Sequence, residues 1–176
     1  EKAFNDGTGD YVYLLLRRQN EKTLCAELQA SVVNQVGGKI PLLGRAEHLI
    51  ELVEAVFAFA ADRPLTVVID EFQEMSYVNS AFYGQLQGLW DRVQRTHKLN
   101  LVVSGSVNRM MNEIFFDHSA ALYGRNTAHL KLKPFPVSLL KTILKDYSPR
   151  CTNADLLDLW TITGGVARYV AMLMDA

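Results

Sequence analysis

The stretch Leu65-Thr66-Val67-Val68-Ile69-Asp70-Glu71 decides the fold. Its apolar, β-branched run is too short for a helix and stops on two acids. A run with almost no polar alternation reads as a strand buried on both faces, the habit of parallel sheets. Asp62-Arg63-Pro64 sets it off from the residues before. Two similar runs lie on either side. One is Tyr11–Leu16 (Tyr-Val-Tyr-Leu-Leu-Leu), and the other is Leu99–Val103, which ends in Ser104-Gly105-Ser106. Helical patterns separate them. Asn20 is placed to cap a helix through about Val36, with Leu24, Cys25, Leu28 and Val32 on one side. Further helices are expected over Arg45–Ala61, over Ser80–Thr96 with Phe82, Leu86, Leu89, Trp90 and Val93 as the apolar stripe, and over Val107–Phe116. Alternating strands and helices predict an α/β fold with a parallel sheet.

The remaining punctuation is consistent with that plan. Residues 1–5 read as the last turn of a helix stopped by Asp6-Gly7-Thr8-Gly9, and Gly37-Gly38 closes the helix begun at Asn20. After the polar loop Asp117–Thr127, Ala128–Leu132 is a candidate fourth strand, and Pro134 and Pro136 mark a boundary. Three short helical patterns, over residues 137–146, 153–162 and 165–175, predict a small all-helical lid subdomain. The expected organisation is therefore a core over 1–135 and a helical unit over 136–176.

Composition narrows the function classes. The chain has 176 residues, 49% hydrophobic and 21% charged, which excludes disorder and low-complexity repeats. Lys plus Arg (18) nearly balances Asp plus Glu (19), so a broad basic face for non-specific nucleic-acid binding is not expected. The longest apolar run, Ala55–Ala61, has seven residues, far short of the ~20 that span a bilayer. No signal peptide is visible. Cys25 and Cys151 lie far apart and form no C-x-x-C pair, which predicts two buried thiols in a reducing, cytoplasmic setting.

In doubly wound sheets, ligands bind at the carboxyl ends of the strands. Asp70 and Glu71 stand at such an end, where two adjacent acids repel unless a cation or proton offsets them. Mg²⁺ wants carboxylate and water oxygens beside substrate phosphates, and a second carboxylate can orient and deprotonate a water. That is the logic of a Walker B acid followed by a catalytic Glu. Ser104, at the end of the next strand, is placed to sense a γ-phosphate or hold the attacking water. Arg125, after Gly124 in a polar loop, is an arginine-finger candidate in its own or a neighbouring copy. Gly164-Gly165 opens the last helix, where Arg168 in the first turn adds to the pull of a helix N-terminus on anions. Each feature also has a plainer reading: a charged strand exit, a solvated arginine, a two-glycine hinge. The four histidines share no ligand spacing with each other or with the cysteines, so no zinc site is expected. A phosphate-cradling G-x-x-x-x-G-K-[ST] is missing: the Gly38-Lys39 pair is followed by Ile40, and Val33 holds the first glycine position.

Leu65–Glu71 with Phe72-Gln73, Leu101–Ser106, Leu122-Tyr123-Gly124-Arg125, Leu132-Lys133-Pro134-Phe135 and Gly164-Gly165 ahead of Arg168-Tyr169 occur in that order. Together they resemble the prokaryotic archaeal-type ATPases of the AAA+/STAND branch of P-loop NTPases, over the whole of Glu1–Ala176. The resemblance implies ATP and Mg²⁺ as cofactors, with Asp70 ordering the metal, Glu71 as catalytic base, Ser104 as sensor and Arg125 as finger. It implies a nucleotide-side role for Gly165 and Arg168, although Ala167 stands where the family has a proline. It further implies a piece of a longer protein, with the P-loop ahead of Glu1 and effector regions beyond Ala176, inactive as it stands. In the family strand order 5-1-4-3-2, Leu99–Val103 would then lack a neighbour. Ala128–Leu132 closes against it, another chain fills the slot, or the piece is poorly soluble. Homo-oligomers are expected from the family, and nucleic-acid contact would come through the absent regions. Two other readings stay open: a non-catalytic α/β interaction module, and a Mg²⁺-dependent nuclease recruiting Glu74.

Overall fold

The computed structural model describes residues 10–36 and 45–175. The expected helix end over 1–5 and the Gly37-Gly38 stop lie outside the described residues. Strands β1 (Asp10–Leu15), β2 (Leu65–Asp70) and β3 (Leu99–Val103) form a parallel sheet in the order β1-β2-β3. This matches the α/β expectation, with α1 (Glu21–Val36) and α2 (Leu49–Ala58) between β1 and β2. A short turn over Phe72–Glu74, α3 (Met75–Val78) and α4 (Phe82–Val93) lead to β3, and α5 (Asn108–Phe115) follows it.

Strand register sorts the side chains onto two faces. Val12 and Leu14 lie beside Val67 and Ile69, all fully buried. The apolar stripes of α1, α2 and α4 join them in one core, and buried Phe57, Phe72 and Phe82 fill it. Phe72 is the hub of an aromatic group, its ring centroid 6.2 Å from Phe82, 5.3 Å from Tyr83 and 5.8 Å from Phe115. The opposite face carries Tyr11, Tyr13, Leu15, Thr66, Val68 and Asp70 and is half-buried. The expectation of strands buried on both faces is therefore corrected: β1 and β2 alternate in burial. The run of apolar residues hid this, because tyrosines and valines suit a half-buried pleat as well as a buried one.

Two polar devices fix the helices to the sheet. The Glu21 carboxylate accepts from Leu49 N at 3.1 Å, from Asn79 Nδ2 at 3.1 and 3.2 Å, and faces His48 Nδ1 at 3.3 Å. One α1 side chain thus serves the open N-terminus of α2 and the end of α3. Burial pushes the Glu21 carboxyl upward, but the donors from Leu49, Asn79 and His48 outweigh it and hold it below its ordinary value. Gln35 at the end of α1 lies along β1. Its Oε1 accepts from Tyr13 N at 2.6 Å, and its Nε2 donates to Tyr13 O at 2.9 Å, copying the rungs of a neighbouring strand. Cys25 is buried in the core, where desolvation pushes its thiol up to about 12; both cysteines are free, but Cys151 is only half-buried, which corrects the expectation of two buried thiols.

The chain divides into two compact units, Glu1–Thr127 and Ala128–Ala176. The second unit is built from α6 (Val137–Tyr147), α7 (Asn153–Thr163) and α8 (Ala167–Met174), an all-helical unit as expected. Leu140, Leu144, Leu159 and Val170 form its core, with Phe135 packed against them. Residues 128–132 form no strand, and among the described residues β3 pairs with β2 alone. The Leu-Lys-Leu-Lys alternation imitated a strand, but Leu130 and Leu132 are 82% and 85% exposed. Alternation without a surface to cover gains nothing from pairing.

Candidate functional site

The carboxyl ends of β1, β2 and β3 bring Asp70, Glu71 and Ser104 together. Asp70 closes β2, where its carbonyl accepts from Leu16 N at 3.0 Å. Its carboxylate is held by three donors. Ser104 Oγ and Glu71 N (2.9 Å) donate to Oδ1, and Tyr13 OH donates to Oδ2 at 2.5 Å. Register explains the tyrosine: Leu15 pairs with Asp70, so Tyr13 lies two residues back on the same face. Desolvation pushes the Asp70 carboxyl upward, but these hydrogen bonds win and lower its pKa. It therefore stays ionised at neutral pH.

Glu71 leaves the strand sharply, with φ 53° and ψ 40°. It is the one described non-glycine residue in the left-handed region, a conformation that costs roughly 1–2 kcal/mol. Backbone bonds on both sides hold the turn: Ser104 N donates to Ile69 O at 2.9 Å, and Phe72 N donates to Ser104 O at 2.9 Å. The Glu71 side chain accepts at Oε2 from Gln73 Nε2 (2.5 Å) and from Ser106 Oγ (3.0 Å). Strain retained beside a strand end is the mark of a site whose geometry matters more than its stability.

Tyr13, Gln73 and Ser106 carry the site but were not singled out from the sequence. Tyr13 sits in mid-strand, and only the register shows its reach. Gln73 falls between the expected strand and the helix expected from Ser80, where the short turn and α3 form. Ser106 was in view as part of Ser104-Gly105-Ser106, without a partner to assign it.

Arg125 and Glu74 are engaged in other contacts of the first unit, and Gly165 and Arg168 belong to the second. Arg125 grips Asp91 of α4 through a two-pronged pair, Nε to Oδ1 at 3.0 Å and Nη2 to Oδ2 at 2.7 Å. Its Nη1 donates to the carbonyls of Ala121 (3.1 Å) and Tyr123 (3.2 Å), so the guanidinium closes its own loop onto α4. Glu74 is turned to Arg18 at 3.0 Å, and Arg18 also lies 3.5 Å over the Tyr77 ring. Gly165 and Arg168 belong to the helical unit. Gly164 (φ 56°) ends α7 in the left-handed conformation and Gly165 (φ 74°) extends it. Gly165 O accepts from Phe135 N at 2.7 Å, and a Cβ on Gly165 would come within 2.6 Å of Phe135 O. This glycine pair is thus a turn that seats Phe135. Arg168 is exposed in the first turn of α8.

Asp70 offers an ionised carboxylate at the strand ends, fixed by Ser104 and Tyr13, and a carboxylate oxygen is the ligand type that Mg²⁺ takes beside phosphates. Among the described residues no three His, Cys, Asp or Glu side chains gather to cage a metal. Among them, too, no helix is long and apolar enough to cross a membrane.

Comparison with known proteins points the same way. A family model described as an ATPase domain predominantly from Archaea matches residues 5–173. The uncharacterized protein MJECL04 of Methanocaldococcus jannaschii is 29% identical over 124 residues, 70% of this chain and 27% of its own length. Among solved structures, the Walker-type ATPase PABY2304 of Pyrococcus abyssi superposes with a TM-score of 0.60 at 16% identity, covering 85% of this chain and 51% of its own. The ORC2 protein of Aeropyrum pernix, solved in ADPNP–ADP complexes, gives 0.53 at 17% identity, covering 82% and 37%. At these identities the two structures speak for the fold. The chain spans about a quarter of the curated relative, about half of the Pyrococcus abyssi chain and 37% of the Aeropyrum pernix one.

Proposed function

The chain belongs to the family of ATPase domains found predominantly in Archaea, and from that premise we propose that it carries the Mg²⁺-binding and water-activating half of an ATP-hydrolysing site. The observation that carries this reading is the pairing of an ionised Asp70, clamped by Ser104 and Tyr13, with a Glu71 held in a strained turn beside it. Asp70 is the Walker B acid that would hold Mg²⁺, and Glu71 is the base that orients and deprotonates the attacking water. Magnesium, when bound, offsets the negative charge of the phosphates. Ser104, bonded to Asp70 just past the end of β3, is the sensor that couples phosphate occupancy to that strand end.

The phosphates themselves need a cradle of backbone N–H groups and a lysine, and no G-x-x-x-x-G-K-[ST] occurs in these 176 residues. The proposed active form is a longer, cytoplasmic AAA+/STAND-type protein that supplies the cradle and couples hydrolysis to conformational change, and these residues alone turn over no ATP. In it, Arg125 would serve a neighbouring copy as finger after leaving Asp91.

Calorimetric titration of ATP, with and without Mg²⁺, tests this reading on the chain and on the intact protein. The intact protein should bind ATP in a Mg²⁺-dependent way and lose that dependence in Asp70→Ala, while the isolated chain should bind none. Glu71→Gln should bind as wild type but lower turnover by at least about 100-fold. Preserved turnover in that variant would remove Glu71 from the role of base.

A further inference from the structure

Several observations meet at Gln73. The side chain is 1% exposed. Its Nε2 donates to Glu71 Oε2 at 2.5 Å. Its Oε1 is buried with no hydrogen-bond partner. Across from it, Gly105 has no room for a Cβ, which would run into Gln73 Oε1 and lie 2.6 Å from Met111 Sδ. Turning the amide over would set its carbonyl oxygen against a carboxylate oxygen, two acceptors with no proton between them. Glu71 therefore dictates the orientation of the amide, and the orphaned oxygen is tolerated for that one contact. The main chain is fixed as well: Ser76 Oγ donates to Gln73 O at 2.8 Å, and Tyr83 OH donates to Phe72 O at 3.1 Å.

We propose that Gln73 is a positioning residue that pins the Glu71 carboxylate through Oε2, with Ser106 as second donor and Gly105 conserving the space for its amide, so that Oε1 of Glu71 is presented to the attacking water. The argument rests on reading Glu71 as the base. Its geometric content is that Gln73 and Ser106 donate to one oxygen of Glu71, and nothing among the described residues donates to the other. A carboxylate fixed by one oxygen keeps one direction for its second, which is what in-line attack demands. Without the amide, the side chain rotates about a backbone already in a tight turn.

The test uses Gln73→Met, which keeps length and apolar bulk but donates nothing, in the intact protein. The expected result is a kcat lower by roughly 10- to 100-fold with KM for ATP unchanged. Gly105→Ala, which pushes the amide aside, should give the same split. Thermal melting near wild type in Gln73→Met separates positioning from folding. An independent arm follows the Gln73 side-chain amide protons by ¹⁵N NMR. They should be protected from exchange in wild type and lose protection in Glu71→Ala. Wild-type kcat in Gln73→Met overturns the positioning role. Unprotected amide protons in wild type overturn the contact itself. An intact protein without any turnover overturns the ATPase reading, an outcome the NMR arm distinguishes from a failure of the contact.

Discussion

Glu21 shows how one side chain can hold three elements, and its hydrogen bonds have a pH signature. Its carboxyl is held below its ordinary value in the fold and returns to that value when the chain unfolds. The contribution to stability is thus complete above the unfolded value and is lost as pH falls through the folded one. Glu21→Gln should cost about 1–2 kcal/mol at pH 7, as expected for charge-assisted bonds at a largely buried group. The difference should shrink below pH 3, and urea unfolding at the two pH values reads it directly. A constant difference would mean that shape, and not charge, holds the α1–α2 junction. At this scale the sequence showed the acids and the serine, because strand ends announce themselves. It could not show Tyr13 or Gln73, because a mid-strand hydroxyl and a buried amide acquire partners only from register and turn geometry.

The elements were legible where hydrophobic period and length agreed. All three strands of the sheet were read to within about a residue, and α1, α4 and the helices of the second unit nearly so. The failures were of two kinds. The short turn and α3 after Glu71 lie below the length at which periodicity speaks. Residues 128–132 had the alternation of a strand but no neighbour to pair with. Strand edges also carry a prediction. Gln35 satisfies the outward-facing backbone of Tyr13, so β1 offers a neighbouring molecule no open rung there. Gln35→Ala should cost about 1 kcal/mol and raise self-association, seen as added mass in light scattering. A monomer of unchanged stability would show that the amide is a bystander.

At the scale of the molecule, the two units differ in the size of their cores. The first buries a continuous aromatic and aliphatic cluster across a sheet and five helices, whereas the second has Leu140, Leu144, Leu159 and Val170. Its helices are secured locally: Thr152 and Asp155 form a capping box at α7, with bonds of 3.3 and 2.6 Å. Amides of α6–α8 should therefore exchange with deuterium through openings of lower free energy than those of β1–β3. Equal protection throughout would mean that the two units open as one.

If Glu71 is the proposed base, its left-handed backbone sets folding against chemistry at a single position. Asparagine and glycine accept that conformation more readily than glutamate does. Selection for thermal stability alone would drift toward them and disarm the protein, whereas selection for turnover would hold glutamate at a standing energetic loss. A screen for stabilised variants should accordingly be read at position 71 before any other.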